Sequence, residues 1–544
     1  MEVAATSAEQ WGFLSRERTV AKPGFNRWLV PPAALAIHLC IGMAYGFSVF
    51  WLPLSRAVGI KAATACSPDL SFFQSITATD CDWKVSQLSI MYTLFFIFLG
   101  CSAALWGGWL ERSGPRKGGV VAAICWASGL LLGAFGIYVH QLWILWLSGC
   151  VGGVGLGIGY ISPVSTLVKW FPDRRGMATG MAIMGFGGGA MIGSPLANNL
   201  INSFAGPDGV GVWQTLVVLA LIYFCFMMGG ALGYRVPPEG WTPAGWTAPA
   251  EGAKKMVTHH HVHLNEALKT PQFWLIWWVL CLNVTAGIGI IGMASPMLQE
   301  VFAGHLIGTD TAFADLDATQ KVQIAGIAAG FTGLLSLFNI CGRFFWASMS
   351  DLMGRKTTYF CFFVLGILLY SSIPTLAQSL NLVLFVLCFG IILSMYGGGF
   401  ATVPAYLADM FGTKMVGAIH GRLLTAWSMA GIFGPVLVTY IREYQLDHGI
   451  PRAQVYNITM YVLAGLLAIG FLCNFMIKSV AERHFMGKEE AATGVKAAAH
   501  ATSTPEMAGN NTAGTVLLAW AMVGIPLAWG VWKTLQTAAK LFAG

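Results

Sequence analysis

Apolar runs long enough to cross roughly 30 Å of hydrocarbon follow one another along almost the whole chain. They lie near 28–53, 85–109, 118–139, 142–166, 177–203, 213–235, 272–298, 322–349, 357–377, 380–406, 417–441, 455–478 and 514–532. Lipid offers no hydrogen bonds, so a single spanning segment must satisfy its own backbone, and the α-helix does this. The expected fold class is therefore all-α transmembrane, twelve spans plus one. Composition agrees: charged residues are 10 % of the chain and apolar residues 56 %, whereas soluble domains carry about 25 % charged residues. Glycine, at 66 of 544 residues, suits helices whose backbones approach closely in a bilayer.

The charges orient the spans. Residues 1–27 are polar and contain Arg16, Arg18, Lys22 and Arg27, without the pattern of a secretory leader. Keeping this tail in the cytoplasm and alternating the spans puts 22 of the 31 Lys and Arg residues inside, 8 outside and 1 within a helix. That is the asymmetry expected of short loops in a bacterial inner (plasma) membrane, and it puts the C-terminus on the periplasmic side. The net charge of +7 thus reflects orientation, and no nucleic-acid partner is expected. The divisions read as an inner tail (1–27), six spans (28–235), an inner linker (236–270), six further spans (271–478), an inner tail (479–513) and an extra span with the C-terminus (514–544). Residues 54–84 form a long outer loop containing Cys66 and Cys81, which are either disulfide-bonded or two free thiols. The linker's His259, His260, His261 and His263 lack cysteine or carboxylate spacing to complete a shell, so neither metal nor cofactor is expected.

The chain is also duplicated. Gly108, Glu111, Arg112, Gly114, Arg116 and Lys117 form a turn between two apolar runs, and Asp351, Gly354, Arg355 and Lys356 repeat it 240 positions later. The same offset relates Phe171 to Phe411 and Arg174 to Lys414. An acid followed by glycine and paired bases fits a tight turn in which Arg or Lys bonds the carboxylate and caps helix ends, locking one state of a rocking cycle. The pattern resembles the signature loop of the major facilitator superfamily. That resemblance implies two six-helix halves alternating around a central site.

A finer resemblance rests on Trp170-Phe171-Pro172-Asp173-Arg174-Arg175-Gly176, Gly185-Phe186-Gly187-Gly188-Gly189, Asn339-Ile340-Cys341-Gly342-Arg343 and Tyr406-Leu407-Ala408-Asp409-Met410-Phe411-Gly412. Over roughly 28–478 the chain resembles the oxalate:formate antiporter family, which is related to monocarboxylate carriers.

Arg343 is the leading candidate for substrate binding. It lies eight positions before Asp351, about 12 Å above the inner loop at roughly 1.5 Å per residue. A cation at that depth costs several kcal/mol unless it meets water or an anion, and its planar fork matches a carboxylate. Asn339, one turn earlier, shares its face. No Asp or Glu is expected within the twelve core spans, and Asp409 is assigned to an inner loop, so a substrate anion is the natural partner. Oxalate exchangers of the family carry a lysine in the eleventh span, where the local match Gly421-Arg422-Leu423-Leu424-Thr425-Ala426-Trp427 puts Trp427. One cation suits a monocarboxylate such as lactate, pyruvate or formate. Arg422 is a second candidate cation. Tyr45, Tyr160, Tyr396, Phe400 and Trp427 are expected to shape the pocket, because the resemblance puts them in cavity-lining helices. His38 and His420 are candidates for proton coupling.

The expected activity is alternating-access transport of small organic anions by proton symport or anion exchange, by a monomer in the lipid bilayer. The alternatives are an oxalate:formate antiporter proper or a membrane sensor that binds a metabolite without moving it. An enzyme is not expected, since neither a His-Glu-x-x-His metal pair nor a nucleophile elbow occurs.

Overall fold

In the computed structural model the helices follow the apolar runs and overrun them. Residues 12–55, 57–58, 64, 66–67, 69–83, 85–206, 209–247, 257–258, 260–487 and 513–539 are described. The first half comprises α1 (Val30–Ile41, continued by the 3-10 segment Gly42–Phe50), α2 (Val85–Ser113), α3 (Pro115–Tyr138), α4 (Leu142–Trp170), α5 (Arg175–Phe204) and α6 (Val212–Gly233). The second comprises α7 (Pro271–Phe302), α8 (Ala318–Met353), α9 (Arg355–Gln378), α10 (Leu382–Phe411), α11 (Val416–Leu423 and Thr425–Asp447) and α12 (Asn457–Met476). α13 (Ala513–Ala538) follows. Twelve described helices, α13 among them, are long and apolar enough to cross a membrane, and the 36-residue α8 runs beside them.

The overrun corrects one expectation. Glu111, Glu300, Asp351 and Asp409 all lie inside helices, in the last turns of α2, α7, α8 and α10. Apolar runs stop at the first charges, whereas a helix continues until its backbone meets a residue that turns it. At both loop motifs that residue is glycine: Gly114 and Gly354 each adopt φ of +87°, a conformation in which a Cβ is strained.

The halves meet through α2 against α11 and through α5 against α8 and α10. Glycine permits the closest approaches. On α5, a Cβ at Gly176 would stand 2.1 Å from the Ala347 carbonyl oxygen, and one at Gly180 would stand 2.8 Å from that of Arg343. At the opposite end from the loop motifs, Glu300 is buried and pinned by Arg442, by Arg452 at 2.8 Å and by the Tyr456 hydroxyl at 2.6 Å. This ties α7, α11 and the start of α12 into one body. In the loop between α1 and α2, Cys66 and Cys81 are joined, with Cα atoms 4.9 Å apart.

α13 has no counterpart in the repeat. It packs on α8, α5 and α1, across the seam between the halves, and the Trp520 indole donates to the Trp28 carbonyl at 3.1 Å.

Candidate functional site

Arg343 lies at the centre of the bundle with no part of it exposed. Its Nε donates to Asn339 Oδ1 at 2.9 Å, and Nη1 donates to the Ile183 carbonyl on α5 at 3.2 Å. Among the described residues Nη2 has no partner at hydrogen-bonding geometry, and the Tyr45 hydroxyl is the polar side chain that interacts with the guanidinium from the other half. Among the described residues no carboxylate pairs with it. The guanidinium instead lies between the rings of Phe186 and Phe400, 5.8 and 5.7 Å from their centroids. Cation–π contacts of this kind contribute about 0.5–2 kcal/mol each, well short of the penalty for a buried cation. The fork therefore retains capacity for an anion.

Glycines make this position accessible to so large a side chain. A Cβ on Gly187 would come within 3.3 Å of Arg343 Nε and 3.4 Å of Asn339 Oδ1. One on Gly397 would come within 3.0 Å of Arg343 Cγ.

All seven residues named from sequence converge here, from both halves. Tyr45 and Tyr396 share a hydrogen bond between hydroxyls at 3.3 Å, joining α10 to the 3-10 segment that continues α1. Trp427 packs against Phe400 at 4.5 Å, Tyr160 at 5.3 Å and Tyr45 at 6.3 Å between ring centroids. Tyr396 stands edge-on to Phe400 at 5.4 Å. Two rings of this cage went unrecognised in the sequence. Phe186 touches Tyr45, Tyr160 and Trp427, and Phe96 touches Tyr45 and Trp427. Phe186 was flagged only as part of a glycine run, and nothing local sets Phe96 apart from any lipid-facing phenylalanine. The Tyr160 hydroxyl and the Trp427 Nε1 also lack partners. The cage is thus apolar in its walls with a few converging donors, the chemistry of a small-anion site.

The two histidines separate. The ring nitrogens of His38 face the carbonyl oxygens of Ala182 at 2.6 Å and Tyr160 at 3.2 Å, so this side chain is engaged in packing. His420 is buried with neither nitrogen bonded, 5.9 Å from the Tyr160 ring. Arg422, half-buried near the end of the first piece of α11, is not among the described groups that meet at Arg343.

The loop motifs close one end of the site by a pseudo-symmetric exchange. Glu111 at the end of α2 accepts the Gly417 N–H at the start of α11, 2.9 Å away. Asp351 at the end of α8 accepts the Gly176 and Met177 N–H groups at the start of α5, at 2.8 and 2.9 Å. Each acid thus caps a helix of the opposite half, where unpaired N–H groups and the helix dipole favour negative charge. Arg175 adds an ion pair across the halves to Asp409 at 2.8 Å.

The bases do not all act as the motif suggests. In the second copy Arg355 bonds Asp351 at 2.7 Å and Asp409 at 3.0 Å, and Lys356 donates to the Phe475 and Ile477 carbonyls at the end of α12. In the first copy the ion-pair partner of Glu111 is Lys169, at 2.6 Å. Arg116 reaches instead to the Phe13 and Tyr234 carbonyls, Lys117 lies over Trp109, and Arg112 is exposed. Lys169 approaches from α4, which sequence spacing around Glu111 does not reveal.

The linker docks beside this gate. Thr258 N–H donates to the Asp409 carbonyl and Val262 N–H to that of Phe411, at 2.8 and 2.9 Å. His259 lies outside the described residues. His260 stacks on Phe485, and His263 caps the Asn265 N–H. Among the described residues no His, Cys, Asp or Glu cluster has metal-binding geometry. Burial, followed by the nearby charges of Lys414, Arg175, His260 and Lys169, holds His261 below its usual value of 6.5. Because the docked state favours neutral imidazole, the undocked linker binds more protons once pH falls below 6.5, and docking weakens there. The exchange protection of the Thr258 and Val262 amides, taken relative to the intrinsic rate at each pH, should fall on acidification from neutral pH, and His261→Gln should flatten that dependence.

Comparison with known proteins agrees with this geometry. The family model described as Major Facilitator Superfamily matches residues 34–314 and 309–543. The chain is 25 % identical over 416 residues to the oxalate:formate antiporter of Oxalobacter formigenes, covering 75 % of this chain and 83 % of that one. It is 23 % identical over 456 residues to apicoplast pyruvate carrier 1 of Toxoplasma gondii, covering 71 % and 78 %. In fold it resembles the Escherichia coli fucose:proton symporter, with a TM-score of 0.54 at 12 % identity over 83 % of this chain and 99 % of that one. The human organic anion transporter MFSD10 aligns with a TM-score of 0.53 at 14 % identity, over 82 % and 99 %. With two six-helix halves, a duplicated loop motif and matches running through both, the chain is a multi-pass membrane transporter of the Major Facilitator Superfamily.

Proposed function

We propose that this protein carries small monocarboxylates, with lactate, pyruvate and formate as the leading substrates, by alternating access in proton symport or anion exchange. The observation that carries the reading is Arg343, fully buried with one donor nitrogen unpaired and no acid beside it. A carboxylate seated there neutralises the cation and fills the fork, while the rings of Tyr45, Tyr160, Phe186, Tyr396, Phe400 and Trp427 exclude water. Closing the gate then seals the bound acid from one side, and breaking the helix-capping contacts releases it. Names of relatives support the substrate class: one is an oxalate:formate antiporter and another a pyruvate carrier. The basic loops support a bacterial inner (plasma) membrane location with the gate and N-terminal tail cytoplasmic and the C-terminus periplasmic, and a single chain is proposed as the working unit.

Uptake into proteoliposomes of lactate, pyruvate, formate and oxalate, at an acidic and a neutral pH, tests the proposal. At least one monocarboxylate should enter saturably, and oxalate should be slower by about tenfold or more, since its second charge would be buried without a partner. Uptake of none of the monocarboxylates, or faster uptake of oxalate than of all of them, contradicts it. A pH gradient driving net uptake separates symport from exchange. Trp427→Lys, which sets a second cation beside Arg343, should raise oxalate relative to formate about tenfold. The same substitution should lower the melting temperature, because losing a buried aromatic costs about 3–5 kcal/mol.

A further inference from the structure

A second cavity, separate from the Arg343 site, opens where α13 meets the first half. It measures about 980 Å³ and is walled by α1, α6 and α13. Its rim carries Arg18, Lys22 and Arg235, at the same end of the bundle as the loop motifs. Arg116 lies within electrostatic range of both Arg18 and Arg235, so four cations gather near this end. Among the described residues no Asp or Glu lines the cavity; Glu17 and Glu239 are not among its lining residues.

Below the rim the lining turns apolar and small. Ala33 and Ala36 of α1 face Gly229, Gly230 and Gly233 of α6, with Met522 of α13 as the third wall. From Gly233 to Cys225, the deepest lining residue of α6, the cavity descends about 12 Å at 1.5 Å per residue. That is close to one leaflet's share of a roughly 30 Å hydrocarbon core. Phe226 and Met522 at its flanks are exposed, so the cavity opens sideways to lipid. A soluble phosphate would use the rim and leave the apolar shaft without purpose, whereas a zwitterionic lipid would bring its own headgroup cation up to Lys22 and Arg235.

We propose that this cavity binds one anionic phospholipid, with the headgroup phosphate against Lys22 and Arg235 and an acyl chain against Gly229, Ala33 and Met522. This assigns α13 a role that the duplicated core cannot supply: it completes the lipid site and, through Trp520 on Trp28, holds the site's wall to the turn that leads into α1. Juxtamembrane cations attract anionic lipid headgroups.

Native mass spectrometry of the purified full-length protein tests the proposal, with phosphatidylglycerol or phosphatidylethanolamine of identical chains added. Gly229→Leu addresses the shaft, because Gly229 lines the cavity and a Cβ there meets nothing within 4 Å, so a larger side chain competes with an acyl chain for that space. Lys22→Gln addresses the rim at an exposed residue, and Arg235→Gln is added to it with folding checked by thermal melting. Wild type should retain one phosphatidylglycerol about tenfold more strongly than phosphatidylethanolamine. Gly229→Leu and the rim double variant should each abolish that preference, and if the double variant melts early, Lys22→Gln alone should reduce it severalfold. Equal retention of the two lipids overturns the proposal. So does undiminished phosphatidylglycerol binding by Gly229→Leu, and so does displacement by glycerol phosphate at the same concentration, which marks a headgroup-only site.

Discussion

Arg343→Ala should lower uptake of every transported acid by about 100-fold, while the folded protein melts no lower than wild type. Truncating one partner of a buried charge-assisted pair removes about 2–5 kcal/mol, and about 2.8 kcal/mol corresponds to 100-fold. Without substrate the same guanidinium is buried with Nη2 unpartnered among the described residues, so its removal opens no ion pair and relieves a desolvation penalty that offsets the lost bonds to Asn339 and Ile183. This opposition of signs, function lost and stability kept, distinguishes a substrate cation from a structural one. Arg343→Lys keeps the charge but loses the planar fork and the bond to Asn339, and should fall between the two, about tenfold below wild type. Radiolabelled uptake and a thermal melt on the same preparations measure both effects. Wild-type transport by the alanine variant would remove the anion site from consideration.

The second large effect is expected at the gate. Asp351→Ala removes the acceptor of two N–H groups at the start of α5 and one of the two carboxylates on Arg355. A lost cap costs about 0.5–2 kcal/mol, and Arg355 keeps Asp409, so a total of about 2–4 kcal/mol against the closed gate follows from the two contacts. That is enough to shift a two-state equilibrium by about 30- to 1,000-fold. Turnover should fall by at least about tenfold, and spin labels placed on the α5 and α8 ends should show the gate side open. Glu111→Gln should do less: it keeps an oxygen for the Gly417 N–H and loses only the ion pair with the partly exposed Lys169. If the two variants leave both the label distances and turnover unchanged, the capping exchange is not what closes this end.

The legible part of this protein is the part that repeats or alternates along the chain. Helix positions follow from apolar runs because lipid compels each run to satisfy its own backbone, and the offset relating Glu111 to Asp351 marks the two halves. Arg343 and Asn339 are legible together because one helical turn separates them and nothing acidic shares their stretch. The tyrosines and Trp427 came through family likeness, and Phe96 did not come through at all. A phenylalanine on α2 looks the same whether it faces lipid or a cage, and only the crossing of α2 with α11 decides.

The gate divides in the same way. Its glycine turns and acids stand in the sequence, since φ of +87° at Gly114 and Gly354 demands glycine wherever the turn occurs. Which base answers which acid does not stand there: Lys169 reaches Glu111 from 58 positions away, while the nearer Arg116 turns to Phe13 and Tyr234. Amino-acid order alone determined that this is a duplicated bundle of membrane helices with a lone deep arginine. Tertiary structure alone decided that each acid caps a helix of the other half, that rings from both halves surround the arginine, and that α13 lies across the seam. The division has one physical cause: hydrogen bonding within a helix is local in sequence, whereas packing between helices joins residues whose separation the chain does not encode.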